Sequence, residues 1–141
     1  MEYLIGGLLA AATALLAGAL GFARDRSFFP TILIVIATYY VLFAAMGGSG
    51  PALWKEAFFG LGFAVVAVLG FRTGLWWVAA ALAGHGVFDV FHHHLVDNPA
   101  VPAWWPGFCL SFDTVLGLAL AIRLVSERRR RASALVRREM P

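Results

Sequence analysis

Charged residues are scarce in this chain of 141 residues: they make up 13% of it, whereas 61% of it is hydrophobic. A soluble globular domain carries about 25% charged residues. The shortage therefore excludes an ordinary water-exposed fold and favours an integral membrane protein.

Cysteine is almost absent. The single Cys109 cannot form a disulfide within the chain, and alone it cannot build a thiolate metal cage. Motifs of soluble enzymes are missing too: there is no G-x-S-x-G elbow. The GLGF string at residues 60–63 lies in an apolar run with no strand before it, so it is not a dinucleotide fingerprint. These absences leave few groups that could carry chemistry.

Long apolar runs dominate what is present. A bilayer-spanning helix needs about 20 mostly apolar residues, and five runs of about that length can be read. They cover about Tyr3–Ala23, Phe29–Met46, Pro51–Phe71, Leu75–Leu95 and Trp105–Val125. The first has no basic n-region and is expected to be a retained helix. The sequence predicts an all-α integral membrane bundle of about five transmembrane helices, with one domain over 1–125 and a basic tail over 126–141.

Basic residues are distributed unevenly between the predicted connections. Only Lys55 lies between helices 2 and 3, and the ten arginines follow helices 1, 3 and 5. The positive-inside rule places those ten residues in the cytoplasm. We expect the N-terminus outside and the C-terminus inside, which requires an odd number of spans.

The basic tail and the small residues of helix 1 indicate partners. Arginines beside a membrane attract anionic lipid headgroups by about 1 kcal/mol per charge. No aromatic residues interleave with those arginines, so nucleic acid is not expected as a partner. Gly6, Ala10, Ala14 and Gly18 recur every four residues, a spacing that lets membrane helices approach closely. Membrane lipids are the expected partners, and a homo-oligomer is a further candidate.

All four histidines lie in the string HGVFDVFHHH, residues 85–94, in helix 4. Successive residues are about 100° apart around the helix axis, so with His85 at zero Asp89 lies at about 40° and His92 at about −20°. His93 lies at the margin of this face, at about 80°, and His94 lies on the opposite side. Such a polar stripe in a spanning helix is expected to face the bundle interior or a wet cavity.

Helix 5 supplies a second carboxylate at a similar depth. The connection Val96–Trp104 is short, so helices 4 and 5 are expected to be antiparallel neighbours. Asp113 then lies near the depth of Asp89, and Cys109 lies one turn away on nearly the same face. Glu56, Tyr40 and Glu2 lie near the outer ends of other helices, and the sequence does not place them relative to the stripe.

Imidazole and carboxylate are the usual ligands of catalytic zinc and non-haem iron. The sequence predicts a divalent metal site, with zinc preferred to iron. The predicted ligands are His85, Asp89, His92, His93 and Asp113. His85 and His92 lie about 10 Å apart along the helix, so the spacing fits either one ion at one end of the stripe or two ions that share Asp89. One ion is favoured, because Asp113 is the one further carboxylate that is well placed. A hydrolase of lipids or other apolar substrates at the outer leaflet is expected, with Asp113 or Asp89 as general base. Iron would instead indicate an oxidoreductase that oxidises an apolar chain.

Several alternatives to a metal enzyme stay open at this point. The stripe would also suit a proton relay in a proton- or ion-coupled transporter, or plain hydrogen bonding in the packed bundle. A non-catalytic membrane assembly subunit is the third class. Helix 4 before His85 reads AAALAG, which offers no polar path towards the cytoplasm.

A family resemblance accompanies these residues. The string H-x3-D-x2-H-H, then a Pro-rich connection with WWP, then a cysteine and an aspartate, resembles an uncharacterised family of small bacterial polytopic membrane proteins. The matching residues are His85, Asp89, His92, His93, Pro106, Cys109 and Asp113, within about 84–120. The resemblance implies a location in the bacterial cytoplasmic membrane and no particular activity.

A more distant analogy is to the alkaline ceramidase and adiponectin-receptor superfamily. Its members resemble intramembrane zinc hydrolases whose ligands are three histidines and an aspartate. This chain departs from that superfamily, because it has five predicted spans instead of seven and its histidines lie on one helix.

Overall fold

The structure of the chain is a computed structural model that describes residues 1–139, so the last two residues of the predicted tail lie outside it. The described part is all-helical, with 86% helix and no strand, as the sequence predicts. Its helices are α1 (Glu2–Leu20), α2 (Phe28–Met46), α3 (Gly50–Thr73), α4 (Trp76–Leu95) and α5 (Trp105–Glu139), with a 3₁₀ turn at Phe22–Arg24.

The helix boundaries follow from local chemistry. The C-cap of α1 is Gly21, whose φ of 84° is a left-handed conformation that glycine adopts without strain. The N-cap of α3 is Ser49, whose hydroxyl accepts a hydrogen bond from Ala52 N, with Pro51 in the first turn. α5 continues past the predicted span to Glu139, because the arginine-rich segment contains good helix formers and no glycine or proline.

Four helices, α1, α2, α3 and α5, are long and apolar enough to cross a membrane. α4 has 20 residues but is not one of the four. Its hydropathy is lowered by the polar residues at positions 85–94. Of these, His85, Asp89 and His92 are buried against other helices instead of facing lipid. Within the described residues, α4 is therefore a helix of spanning length whose polar face is covered by protein.

α5 packs against α4 and α1, α2 packs on α3, and α4 also packs on α3 and α2. The predicted pairing of helices 4 and 5 is confirmed. The core between them is apolar and includes Leu33, Val78, Leu82, Leu116 and Leu120. Connections alternate between two ends, which we name the N-terminal end (Met1 and the α2–α3 and α4–α5 connections) and the basic end (the α1–α2 and α3–α4 connections and the C-terminal part of α5).

Small residues allow the close approach of α1 and α5. A Cβ on Gly6 would collide with Phe108 O and Ser111 Oγ of α5. The buried residues of α1 are Gly6, Ala10 and Ala17, whereas Gly18 is exposed with no neighbour within 4 Å. A four-residue repeat rotates by about 40° at each step, so Gly18 leaves the interface, whereas a seven-residue step returns Ala17 to it.

Candidate metal centre

Six polar or charged side chains are buried in the described part of the chain, and all lie on α3, α4, α5 or the α4–α5 connection. They are Glu56, His85, Asp89, His92, Asn98 and Asp113. Burying such groups is costly unless they are paired. They form two groups, which we name the His85 cluster (His85, Asp89 and Asp113) and the His92 cluster (His92, Glu56 and Asn98).

The His85 cluster joins α4 to α5. His85 Nδ1 donates a hydrogen bond to Asp113 Oδ2 at 2.8 Å. Asp89, one turn further along α4, places its Oδ2 3.3 Å from the same nitrogen. One ligand atom from each of the three residues lies within 4.8 Å of the other two. The side chains are at most 1% exposed, so a single imidazole faces two carboxylates out of contact with water.

Three oxygens of this cluster lack a hydrogen-bond partner within the described residues: both Asp89 oxygens and Asp113 Oδ1. His85 Nδ1 carries one proton, which it donates to Asp113, so the 3.3 Å approach of Asp89 is a contact without a hydrogen bond. With both carboxylates ionised, the cluster has an excess of negative charge even when the imidazole is protonated. Unpartnered buried oxygens and excess negative charge are what a cation would neutralise.

The arrangement also suits the dimensions of a metal site. Zinc bonds nitrogen and carboxylate oxygen at about 2.0–2.2 Å. In a tetrahedron with such bonds, neighbouring ligand atoms are about 3.3–3.6 Å apart. The separations from His85 Nδ1 are 3.3 Å to Asp89 and 2.8 Å to Asp113. A widening of about half an ångström at Asp113 would bring both separations from His85 Nδ1 into this range. The His85 cluster can therefore hold a metal ion.

A glycine brings the two helices close enough for this contact. A Cβ on Gly86 would lie 3.1 Å from Leu110 O and 3.5 Å from Asp113 Cβ. The small residue next to His85 thus lets α5 approach α4 at the level where Asp113 meets the imidazole.

The His92 cluster is arranged differently and lies nearer the N-terminal end. His92 Nε2 and Asn98 Nδ2 each donate to Glu56 Oε1 at 2.8 Å. Asn98 also donates to the Tyr40 carbonyl oxygen at 3.3 Å and accepts from Ala100 N at 3.3 Å. The cluster ties α3, α4, α2 and the α4–α5 connection together. Of its side-chain oxygens, only Glu56 Oε2 is fully buried without a partner in the described part of the chain.

Tyr40 of α2 lies beside both clusters. Its ring stacks on His92 with a centroid separation of 4.0 Å, and the His85 ring lies 6.3 Å away. Phe63 and Phe88 enclose His85 on other sides, with ring separations of 4.6 and 6.1 Å. Aromatic rings therefore surround the buried histidines and exclude water from them.

An apolar cavity of about 580 Å³ lies at the N-terminal end, between α1, α2 and α5. Its walls include Ile5, Leu9, Ile36 and Phe112, and Cys109 contributes to its lining. Cys109 is buried one turn before Asp113 on α5. The volume is within the range typical of small-molecule sites. None of the three residues of the His85 cluster lines the cavity, and Cys109 connects it along α5 to Asp113.

The predicted ligands are distributed as follows. His85, Asp89 and Asp113 come together, and His92 is buried but bonded to Glu56. His93 is exposed, as is His94. The three-residue group does not include His92 or His93, so their roles as metal ligands stay predictions. Glu2, another candidate, lines the mouth of the apolar cavity and pairs with the N-terminal amine at 3.1 Å.

Sequence reasoning missed Asn98 and did not place Glu56 or Tyr40. Asn98 is an amide in a Pro-rich connection, the usual setting of a turn residue. Its neighbours Asp97 and Pro99 are both exposed, whereas Asn98 is buried. No signal in the local sequence distinguishes it.

No protein-family model matches the chain, and no curated protein or solved structure matches it with statistical significance.

Proposed function

We propose that this chain is a metal-dependent membrane enzyme, a hydrolase of a lipid or another apolar substrate, with the His85 cluster as its metal site. The observation that carries the proposal is the buried set of one imidazole and two carboxylates with three unpartnered oxygens. A buried structural hydrogen-bond network would be expected to pair those oxygens. The oxygens of Asp89 accept no hydrogen bond within the described residues, and a bound cation would neutralise this carboxylate.

Zinc is the proposed ion, because imidazole and carboxylate both ligate it and three protein ligands leave a fourth position open. A set with two carboxylates also accepts iron(II) and manganese, so the test below includes both. A bound divalent ion would supply Lewis acidity, polarising a substrate carbonyl and easing deprotonation of a water molecule.

The residues of the cluster then have distinct tasks. His85 Nδ1 would ligate the ion in the tautomer that carries the ring proton on Nε2, in place of its 2.8 Å hydrogen bond to Asp113. Asp89 and Asp113 each have an Oδ1 with no partner. That oxygen can accept the proton of the attacking water and return it to the leaving alcohol or amine. Water is thereby split across an ester or amide bond, and no oxidant or reductant is needed.

The apolar cavity supports an apolar substrate. Its wall is formed by aliphatic and aromatic side chains, and it lies along the α5 face that bears Cys109 and, one turn later, Asp113. A chain held there would bring a polar bond near the cluster from the N-terminal end, which the charge distribution predicts to be outside.

The test is the metal content of the detergent-purified protein, with any histidine tag removed, measured by elemental mass spectrometry. We expect close to one zinc, iron or manganese ion per chain. Asp89→Asn and Asp113→Asn should lose it, because removing a ligand costs most of the affinity at a three-ligand site. The matched control is Glu56→Gln, which changes a buried carboxylate outside the cluster and should retain the metal.

Folded wild-type protein without metal, even after incubation with each of the three ions, would refute the metal site. Equal loss of metal in the Glu56→Gln control would show that the variants act through general unfolding and not through ligation.

A proton- or ion-coupled transporter is the second candidate, favoured by the way the His92 cluster and Tyr40 extend the line of buried polar groups along α4. The half of the bundle towards the basic end argues against a transporter. The buried residues there include Val78, Leu82, Leu116 and Leu120, which are all apolar, so they do not continue the line of buried polar groups. A non-catalytic assembly subunit predicts no metal dependence.

A further inference from the structure

A second cavity, of about 520 Å³, lies at the basic end of the bundle, opposite the His85 cluster. Three separate segments form it: the α1–α2 connection, the α3–α4 connection and the part of α5 beyond the apolar core. Five arginines line it, namely Arg24, Arg26, Arg123, Arg128 and Arg131. We name this cavity the arginine pocket.

The charge of the arginine pocket is not balanced by its own residues. Glu127 is the one acidic lining residue, and it accepts a hydrogen bond from Arg123 Nε at 2.8 Å. The other four arginines have no carboxylate within 4.0 Å in the described part of the chain. Five arginines and one glutamate leave four positive charges in excess.

Asp25, between two of these arginines in sequence, does not neutralise them. Its Oδ1 accepts hydrogen bonds from Ser27 N and Ser27 Oγ, both at 2.9 Å. These bonds hold the pKa of Asp25 below its usual value, and the side chain lines a different cavity, beside Phe28. The nearest candidate counter-ion is therefore occupied elsewhere.

Helix termini add little to this charge. Thr73 at the C-terminal end of α3 and Trp76 at the N-terminal end of α4 both line the pocket. Their dipole contributions have opposite signs and offset each other. The guanidinium groups therefore determine what the pocket would bind, and their planar donors match phosphate oxygens in pairs.

The position of the pocket is suited to a membrane interface. α5 changes there from apolar residues, with Leu124 in the pocket wall, to exposed arginines. The half-exposed Trp76 is the type of residue that anchors helix ends at the headgroup level. We propose that the arginine pocket is a binding site for a phosphate group, carried by a lipid headgroup or by a soluble phosphate compound.

This site is distinct from a general attraction of the tail for anionic membranes, and α5 offers a matched test. Arg128 and Arg131 line the pocket, whereas Arg129 and Arg130 do not. All four are exposed on the same helix. The double variants Arg128→Gln/Arg131→Gln and Arg129→Gln/Arg130→Gln remove the same charge from the same segment.

Binding of dioleoyl phosphatidic acid would be measured by native mass spectrometry of the full chain in detergent, with dioleoyl phosphatidylcholine as reference lipid. We expect Arg128→Gln/Arg131→Gln to weaken the phosphatidic acid affinity by about tenfold or more, and Arg129→Gln/Arg130→Gln by less than about twofold. Arg24→Gln should weaken binding, because it tests a second wall of the pocket. Its control, Arg72→Gln, changes an exposed arginine outside the lining and should not.

Inorganic pyrophosphate distinguishes the two sources. Displacement of phosphatidic acid by millimolar pyrophosphate would support a site open to soluble phosphate compounds, and no displacement would support a lipid headgroup held together with its chain. Equal weakening in the two double variants, or none in either, would overturn the pocket. Circular dichroism would confirm that the variants keep the helical content of wild type.

Discussion

The His85 and His92 clusters contain the same kinds of group but differ in their balance. In the His92 cluster one carboxylate receives two hydrogen bonds, from an imidazole and an amide. In the His85 cluster two carboxylates share one imidazole, and three of their four oxygens have no partner. Both clusters are buried and both use α4, so neither burial nor the shared helix explains the difference.

The comparison teaches that burial of a histidine and an acid is not by itself a sign of function. A balanced pair with an amide at its side links four segments and has little capacity for another ligand. An unbalanced group is costly to bury, since like charges in a medium of low polarity repel each other. Such an unbalanced group is expected to persist where a bound cation or a reaction requires it.

The largest effect should come from breaking the balanced cluster. Glu56→Ala leaves His92 and Asn98 without their shared acceptor, so we expect a loss of about 3–5 kcal/mol in the free energy of unfolding. Unfolding in mixed micelles of increasing dodecyl sulfate fraction would measure it. Glu56→Gln keeps a carbonyl oxygen for both donors and should lose much less. A loss under about 1 kcal/mol in Glu56→Ala would contradict the structural role.

An effect of opposite sign is expected in the unbalanced cluster. In protein treated with a chelator, Asp89→Asn removes one of two competing buried charges, so the free energy of unfolding should rise by about 1–2 kcal/mol. The same unfolding assay applies, with Asp97→Asn as a control at an exposed aspartate. If Asp89→Asn were strongly destabilising in the metal-free protein, the cluster would be a structural network after all.

The smallest effect should come from the exposed histidines, which extend the comparison to residues that belong to neither cluster. His93→Ala and His94→Ala remove solvent- or lipid-facing rings. Each should change the free energy of unfolding by less than about 0.5 kcal/mol and leave metal content unchanged. Loss of metal in His93→Ala alone would restore that residue to the ligand set and require a rotation of the end of α4.

Helical periodicity accounts for the part of the site that could be predicted. The angles of His85, Asp89 and His92 around α4 place them on one face, and all three are buried; His94, on the opposite side, is exposed. His93 sat at the margin of the stripe, where an angle alone cannot decide burial. Asp113 was placed at the right depth because a short connection makes α4 and α5 antiparallel.

The pairing of acids with histidines was beyond the sequence. Asp113 is 28 residues from His85, Glu56 is 36 residues from His92, and Asn98 is 42 residues from Glu56. Which acid meets which imidazole depends on the rotation of each helix about its axis. That rotation is set by close contacts such as Gly86 against Leu110 and Gly6 against Phe108.

By itself the sequence determined the helical membrane bundle, because runs of about 20 apolar residues and internally satisfied backbone bonds leave few alternatives in lipid. It also determined which face of α4 is polar, since 3.6 residues per turn decide that locally. Only the tertiary structure decided that one histidine shares a carboxylate with an amide while the other faces two carboxylates. The tertiary structure alone also decided that arginines from separate segments line one pocket. Both outcomes depend on which helices are neighbours and how each is rotated, which packing across the whole bundle determines.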